Sequence, residues 1–276
     1  MHLKGKVILV TRAETQAQHL VTQLGKQGAE PIVIPVIEFG EPSSFDELDT
    51  AIGALEKFDW IVFASSNAAS AVHKRLTQAG KHWTDRPNPK VAAIGSATSK
   101  TLSDLGIDVD FQPGSFVAER FVAEFSATHA LPKKRILWPR TLGGRLVIAD
   151  QLTSIGADVT AVEAYSTKLP QDAGEIGEKI AQLILAKKID VITLASSQSA
   201  KNFFQLLQSG LAKILDHAGP DLDAATKEHT DRLVLAVIGP VTAATTRKLF
   251  GRVDVEARVF TADGLVSELI SFYGTK

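Results

Sequence analysis

"DWIVFASSNAASAV", Asp59–Val72, and "DVITLASSQSAKNF", Asp190–Phe203, carry one pattern twice. Each begins with an aspartate, continues as a short apolar run, turns through Ala-Ser-Ser and enters a stretch with helical spacing. A continuous apolar run of this length suits a strand buried on both faces of a parallel sheet. The serines suit the start of a helix, where a hydroxyl accepts from free backbone amides. Strand, turn and helix recurring 131 positions apart point to a duplicated α/β domain, since the period is far too long for a solenoid repeat.

The duplication extends outward in both directions. "VAAIGSATSKTL" (Val91–Leu102) matches "LAVIGPVTAATTRKL" (Leu235–Leu249), with Gly95 opposite Gly239, 144 positions on. "GAEPIVIP" (Gly28–Pro35) matches "GADVTAVE" (Gly156–Glu163) at an offset of 128, and "VILVTR" loosely matches "RILWPR", which sets Arg12 opposite Arg140. Growth of the offset from 131 to 144 gives the second half 13 extra residues. They are assigned to Ser209–Arg232, a charged, turn-rich segment read as a surface elaboration such as a helical hairpin, with a lid as the weaker alternative.

Further strands are expected at Val7–Val10, Ile32–Ile37, Trp60–Phe63, Val91–Ile94, Ile136–Trp138, Val159–Val162, Val191–Leu194 and Leu233–Ile238, with helices between them. That alternation predicts right-handed crossovers and doubly wound parallel sheets. "AEPIVIPVIEFGEP" and "ADVTAVEAYSTKLP" run extended for longer than one strand. Each is read as a strand continuing into a connector, so that the chain crosses between two lobes twice and one lobe is discontinuous.

The bulk properties narrow the function. The chain has 276 residues, 45% of them hydrophobic, and a net charge of −1. It has no global basic field for nucleic acid. It has no cysteine, which removes thiolate chemistry and cysteine zinc sites. No apolar signal core and no run of 18 apolar residues is present, so a soluble cytoplasmic protein is expected. There is no G-x-G-x-x-G, no P-loop, no H-E-x-x-H and no G-x-S-x-G, and the seven histidines are scattered.

Ligands of open parallel sheets bind beyond the carboxyl ends of the strands. The turns there are Thr11-Arg12, Ala64-Ser65-Ser66-Asn67, Gly95-Ser96-Ala97-Thr98, Pro139-Arg140-Thr141, Ala195-Ser196-Ser197-Gln198 and Gly239-Pro240-Val241-Thr242. Any one of them is accounted for by helix capping. Six of them, duplicated, would present many N–H donors and few acids, which suits a ligand with several carboxylates or phosphates. Arg12 and Arg140 each suit a carboxylate fork or a surface ion pair, Arg12 with Glu14. Lys133-Lys134-Arg135 reads as a solvated run. Tyr165, in the second long segment, reads as a packed aromatic with a wet hydroxyl, or as a proton donor if it faces a ligand.

"ILVTRAETQAQHLVTQLGKQGAEPIVIPVIE", "FDWIVFASSNAASAV", "VAAIGSATSKTL", "GADVTAVEAYST", "LAVIGPVTAATTRKL" and "FTADGLVSELI", in this order, resemble the uroporphyrinogen-III synthase family over essentially the whole chain outside Ser209–Arg232. The resemblance implies an α/β fold of two similar three-layer α/β/α lobes with parallel, flavodoxin-like sheets joined by a two-stranded linker. Lobe 1 would be residues 1–36 plus 167–276, lobe 2 residues 37–166, with linkers near 35–41 and 162–170. It implies a lyase that closes hydroxymethylbilane, a linear tetrapyrrole with anionic arms, inverting the last pyrrole and losing water without cofactor or metal. The partners implied are that small-molecule substrate and, as a candidate, the enzyme producing it, with no nucleic acid and no membrane; a monomer is expected.

Carried over by motif, Tyr165 matches the tyrosine proposed to assist hydroxyl departure. Thr242, Ser65, Asn67, Ser196 and Arg12 match the family's binding turns. Gly95, Ser96, Ser197 and Gly239 join them from the turn pattern. The chain departs from the family at Ala13, Ala64, Ala195 and Thr141, and with Thr141 in place of glycine Arg140 is not assigned to the site. A two-lobed binding protein for an anionic metabolite is the alternative of another class, and a nicotinamide dehydrogenase lacks its glycines.

Overall fold

The apolar runs become strands because both faces of each are covered by helices. The strands are β1 (Val7–Val10), β2 (Glu30–Val33), β3 (Glu38–Gly40), β4 (Trp60–Phe63), β5 (Lys90–Ala93), β6 (Arg135–Arg140), β7 (Asp158–Glu163), β8 (Ser166–Lys168), β9 (Val191–Leu194), β10 (Val234–Val237) and β11 (Val255–Glu256). The helices are α1 (Glu14–Lys26), α2 (Asp46–Gly53), α3 (Ser66–Gln78), α4 (Ser96–Asp104), α5 (Ala118–Thr128), α6 (Val147–Ser154), α7 (Ala173–Leu185), α8 (Ser197–Leu215), α9 (Asp221–Thr230), α10 (Pro240–Phe250) and α11 (Ala262–Gly274). The computed structural model describes residues 2–83, 89–114, 118–216 and 221–274. Within them no helix is long and apolar enough to cross a membrane.

The chain divides into two compact units, Met1–Glu38 with Lys168–Lys276, and Phe39–Thr167. The first holds a parallel sheet in the order β11-β10-β9-β1-β2. Numbered within the unit, this is the flavodoxin-like order. The second holds a parallel sheet in the order β5-β4-β6-β7. A parallel bridge from Ala92 to Phe111 takes the place beside β5 that β11 takes beside β10.

Each sheet is the middle of three layers. In the first unit Leu9, Ile192, Leu194, Leu235 and Val237 face α7 and α8, while Ile8, Val10, Val191 and Ala236 face α1 and α11. In the second, Ile61, Phe63, Val91 and Leu137 face α2, α3 and α4, while Trp60, Val62, Ile136 and Trp138 face α5 and α6. This two-sided burial is what makes the strands read as unbroken apolar runs.

The repeat is visible down to single hydrogen bonds. Asp190 accepts from the Val7 amide at 2.8 Å, and Asp59 accepts from the Arg135 amide at 2.9 Å. Asp254 accepts from the Leu235 amide, and Asp110 from the Val91 amide, both at 2.8 Å. Lys6 pairs with Asp190 and Lys134 with Asp59. The Lys134 ammonium holds the Asp59 carboxyl below the usual carboxylate range. Lys133-Lys134-Arg135 is therefore not wholly a solvated run.

The structure adds detail to three expectations. First, each overlong segment, read as a strand continuing into a connector, leaves its parallel sheet part-way. The first leaves the regular ladder over residues 34–37, where the Ile34 and Val36 amides still donate to the Val10 and Thr11 carbonyls at 3.1 Å and 3.2 Å, and the second leaves it over residues 164–165. Beyond these residues, β3 and β8 form a separate two-stranded sheet. Second, β11 escapes the apolar pattern because it is two residues long. Third, the insertion, expected as a surface elaboration such as a helical hairpin, lengthens α8 to 19 residues, against 13 in α3, and packs α9 against it. Leu222 joins the core there, and the Gln208 amide binds Asp223. Residues 217–220 of the insertion lie outside the described residues.

Candidate active site

In a doubly wound sheet the ligand crevice opens where the strand order reverses, past the carboxyl ends. That point lies between β9 and β1 in the first unit and between β4 and β6 in the second. The turns leaving those strands carry Arg12 and Ser196 in the first unit, and Ser65 and Arg140 in the second.

In the second unit Ser65 caps α3. Its Oγ accepts from the amides of Asn67 (3.1 Å) and Ala68 (3.3 Å). Ser65 also acts on the Tyr165 phenol, favouring its ionised form. Burial pushes the Tyr165 phenol above the usual tyrosine range, while Ser65 and the charge of Arg140 pull it back. The ring packs edge-on to Phe39 at 6.0 Å. It also lines a pocket of about 300 Å³ with Asn67, Phe45 and Lys74.

Arg140 ends β6. Its Nε donates to the Thr141 carbonyl at 3.0 Å and a terminal nitrogen donates to the Gly144 carbonyl at 2.5 Å. The guanidinium lies 4.5 Å over the Trp138 ring. Its other terminal nitrogen is buried and has no hydrogen-bond partner, and burial lowers its proton affinity. Sequence reasoning set Arg140 aside for want of a following glycine. The signal that finds it is the repeat, which places it opposite Arg12. At the neighbouring turn Gly95 precedes α4 with φ +103°, a conformation that favours glycine, and Ser96 is exposed.

In the first unit the switch point is clasped from below. Thr11 Oγ1 donates to the Thr193 carbonyl at 2.7 Å, and Thr193 Oγ1 donates to the Leu9 carbonyl at 3.0 Å. Arg12 follows, half-buried, with its proton affinity lowered by burial. The ion pair with Glu14 does not form, and among the described residues no carboxylate pairs with Arg12. Ser196 caps α8 in a reciprocal box with Ser199, at 3.0 Å and 2.9 Å. Ser197 Oγ donates to the Val241 carbonyl at 3.1 Å and accepts from Thr245 at 2.9 Å. Thr242 is 5% exposed on α10. Gly239 is extended and packs beneath Phe260, where an added Cβ would stand 3.1 Å from the ring.

Of the serines in these turns, Ser65 and Ser196 cap helices by accepting from their amides, and Ser197 bonds Val241 and Thr245. What the turns offer a ligand is the backbone N–H these caps leave free and the hydroxyl proton of Ser196. The two units differ at one decisive position. By the 128-residue offset Ile37 stands where Tyr165 stands, so the phenol belongs to one switch point alone.

This geometry can be set beside known proteins. The family model described as Uroporphyrinogen-III synthase HemD matches residues 18–267. The uroporphyrinogen-III synthase of Synechococcus elongatus is 38% identical over 265 residues, covering 96% of this chain and 94% of that protein. The uroporphyrinogen-III synthase of Escherichia coli is 26% identical over 201 residues, covering 72% and 79%. A mutant uroporphyrinogen III synthase from the extremely thermophilic bacterium Thermus thermophilus superposes with a TM-score of 0.64 at 14% identity, covering 99% of this chain and 100% of that one. The Helicobacter pylori uroporphyrinogen-III synthetase gives 0.55 at 17%, covering 96% and 99%. The fold is that of these structures, and the chain belongs to the uroporphyrinogen-III synthase family.

Proposed function

We propose that the chain closes hydroxymethylbilane to uroporphyrinogen III with loss of water, and that Tyr165 supplies the proton the departing hydroxyl takes. The observation that carries this is the place of Tyr165 at the second unit's switch point, where it lines a pocket with Asn67 while Ser65 and Arg140 both ease its ionisation. A hydroxide ion is a poor leaving group and water a good one, so a positioned proton donor lowers the barrier to ionisation. The remaining task is geometric. Unaided closure gives the non-inverted isomer, so the protein must hold the chain bent for attack at the substituted ring carbon. Each unit by itself offers anion-binding groups, the amides left free at the starts of α3 and α4 in one and those of α8 and α10 with Arg12 in the other, and each set suits a carboxylate arm.

We place this activity in the cytoplasm, fed directly by the enzyme that makes hydroxymethylbilane, because a free substrate that closes spontaneously to the wrong isomer is wasted in transit. Tyr165→Phe tests the assigned acid in an assay coupled to a hydroxymethylbilane-producing enzyme. The expected result is a kcat lowered about a hundredfold with type III product retained, the size of a lost general acid. An unchanged kcat removes Tyr165 from the chemistry.

A further inference from the structure

We propose that Arg140 is the positioning residue for the Tyr165 proton: its guanidinium fixes a positive charge beside the phenol, so that the proton leaves readily and the phenolate left behind is held. The inference rests on Tyr165 being the proton donor argued above. Its basis is the end of the β6–β7 ladder. The Arg140 carbonyl accepts from the Ala164 amide at 2.8 Å, so Arg140 lies alongside the residue that precedes Tyr165. The guanidinium cannot swing away. Two of its nitrogens are tied to the Thr141 and Gly144 carbonyls and its plane lies on Trp138.

The arrangement is a poor one for stability. It partly buries a charge that has no ion-pair partner among the described residues and leaves one terminal nitrogen with no acceptor. A fixed, underused positive charge at a switch point is an arrangement that serves a negative charge appearing there. The phenolate formed on proton transfer is such a charge, and Arg140 already acts on the phenol in the direction that eases its ionisation.

The other charges nearby do not replace it. Asp150 on α6 acts on Arg140 through space, without forming an ion pair. Glu163, paired with Arg140 in the ladder, gives its carboxylate to the amide and hydroxyl of Ser43. Lys74 with Glu41, and Arg75 with Asp49, are closed ion pairs at the pocket beside the Tyr165 ring. The first unit has the matching arginine, Arg12, but Ile37 in place of the phenol, so it has no proton to position.

The step balances as follows. The substrate's hydroxymethyl C–O bond breaks and its electron pair leaves with oxygen. That oxygen takes the Tyr165 proton and departs as water, while the pyrrole nitrogen lone pair fills the carbon. The phenolate, held by Arg140 and Ser65, regains a proton when the newly bonded ring loses its own.

The chain has two tyrosines, so Tyr273→Phe leaves Tyr165 alone to be titrated. Biosynthetic replacement by a trifluorinated tyrosine brings that phenol into a pH range the folded protein tolerates, and phenolate absorbance follows it. Arg140→Met is expected to raise the midpoint by about one unit, and Arg140→Lys by less. In the coupled assay, with the natural tyrosine, Arg140→Met is expected to lower kcat about tenfold, with no further loss in the Tyr165→Phe background. Circular dichroism checks the fold, and Arg140→Gln stands in if the methionine variant fails to fold. An unmoved phenol midpoint overturns the proposal, as does an undiminished Arg140 effect when Tyr165 is already phenylalanine. A phenol that shifts in a chain making no type III isomer supports the coupling and overturns the reaction assigned to it.

Discussion

Arg12 shows what a single buried residue reveals about use. Its guanidinium is half-buried with no carboxylate partner among the described residues, and burial lowers its proton affinity. A structural role would have supplied a partner, because desolvating an unpaired charge is destabilising. Arg12→Met is therefore expected to raise the melting temperature while raising KM about tenfold with kcat little changed. Thermal unfolding and steady-state kinetics on one preparation check both halves; a lowered melting temperature with KM unchanged would mark Arg12 as a structural residue. The sequence alone left ligand and ion pair open for this arginine, since Glu14 stands two positions away and only tertiary geometry shows the pair unformed. Ser65 was legible as a cap from its place before α3. That it acts on a phenol 100 positions later was not, because only the tertiary fold brings the two together.

At the scale of elements, sequence pattern reads the strands well and their contacts poorly. Val7–Val10, Trp60–Phe63 and Val191–Leu194 are strands over the expected residues because each is buried on both faces. The connectors are legible as connectors from their length, but extended sequence does not show that β3 and β8 pair with each other. The crossing of α7 and α8 was invisible. Gly177 and Gly210 meet there so closely that a Cβ on Gly210 would stand 2.0 Å from the Gly177 carbonyl oxygen. A backbone atom cannot fold away as a flexible side chain can. Gly210→Ala should force the helices apart at a cost of about 3 kcal/mol. Gly174→Ala, in α7 with nothing within 4 Å of the added carbon, should stabilise by about 0.5 kcal/mol. Urea unfolding of the two variants separates steric from conformational effects; equal midpoints would contradict the close crossing.

The whole molecule is a duplication in which neither repeat stays in one unit. β1 and β2 come from the first repeat and share a sheet with β9, β10 and β11 from the second. β4 and β5, also from the first, share a sheet with β6 and β7 from the second. The repeated aspartate–amide bonds, Asp190 to Val7 and Asp59 to Arg135, join strands of different repeats in both cases. The offsets of 128, 131 and 144 made the duplication legible, and the switch-point rule then located its turns. What the pattern did not yield is the asymmetry at the proposed proton donor, a phenol at Tyr165 against Ile37. A period detects likeness and is silent where the copies diverge. The proposed function makes one demand on the whole molecule, that the bound substrate closes to the inverted isomer. The direct measurement is the isomer ratio after supplying hydroxymethylbilane from its producing enzyme, oxidising the products and separating the porphyrins. The account predicts predominantly type III; type I alone, at the rate of the uncatalysed closure, would contradict it.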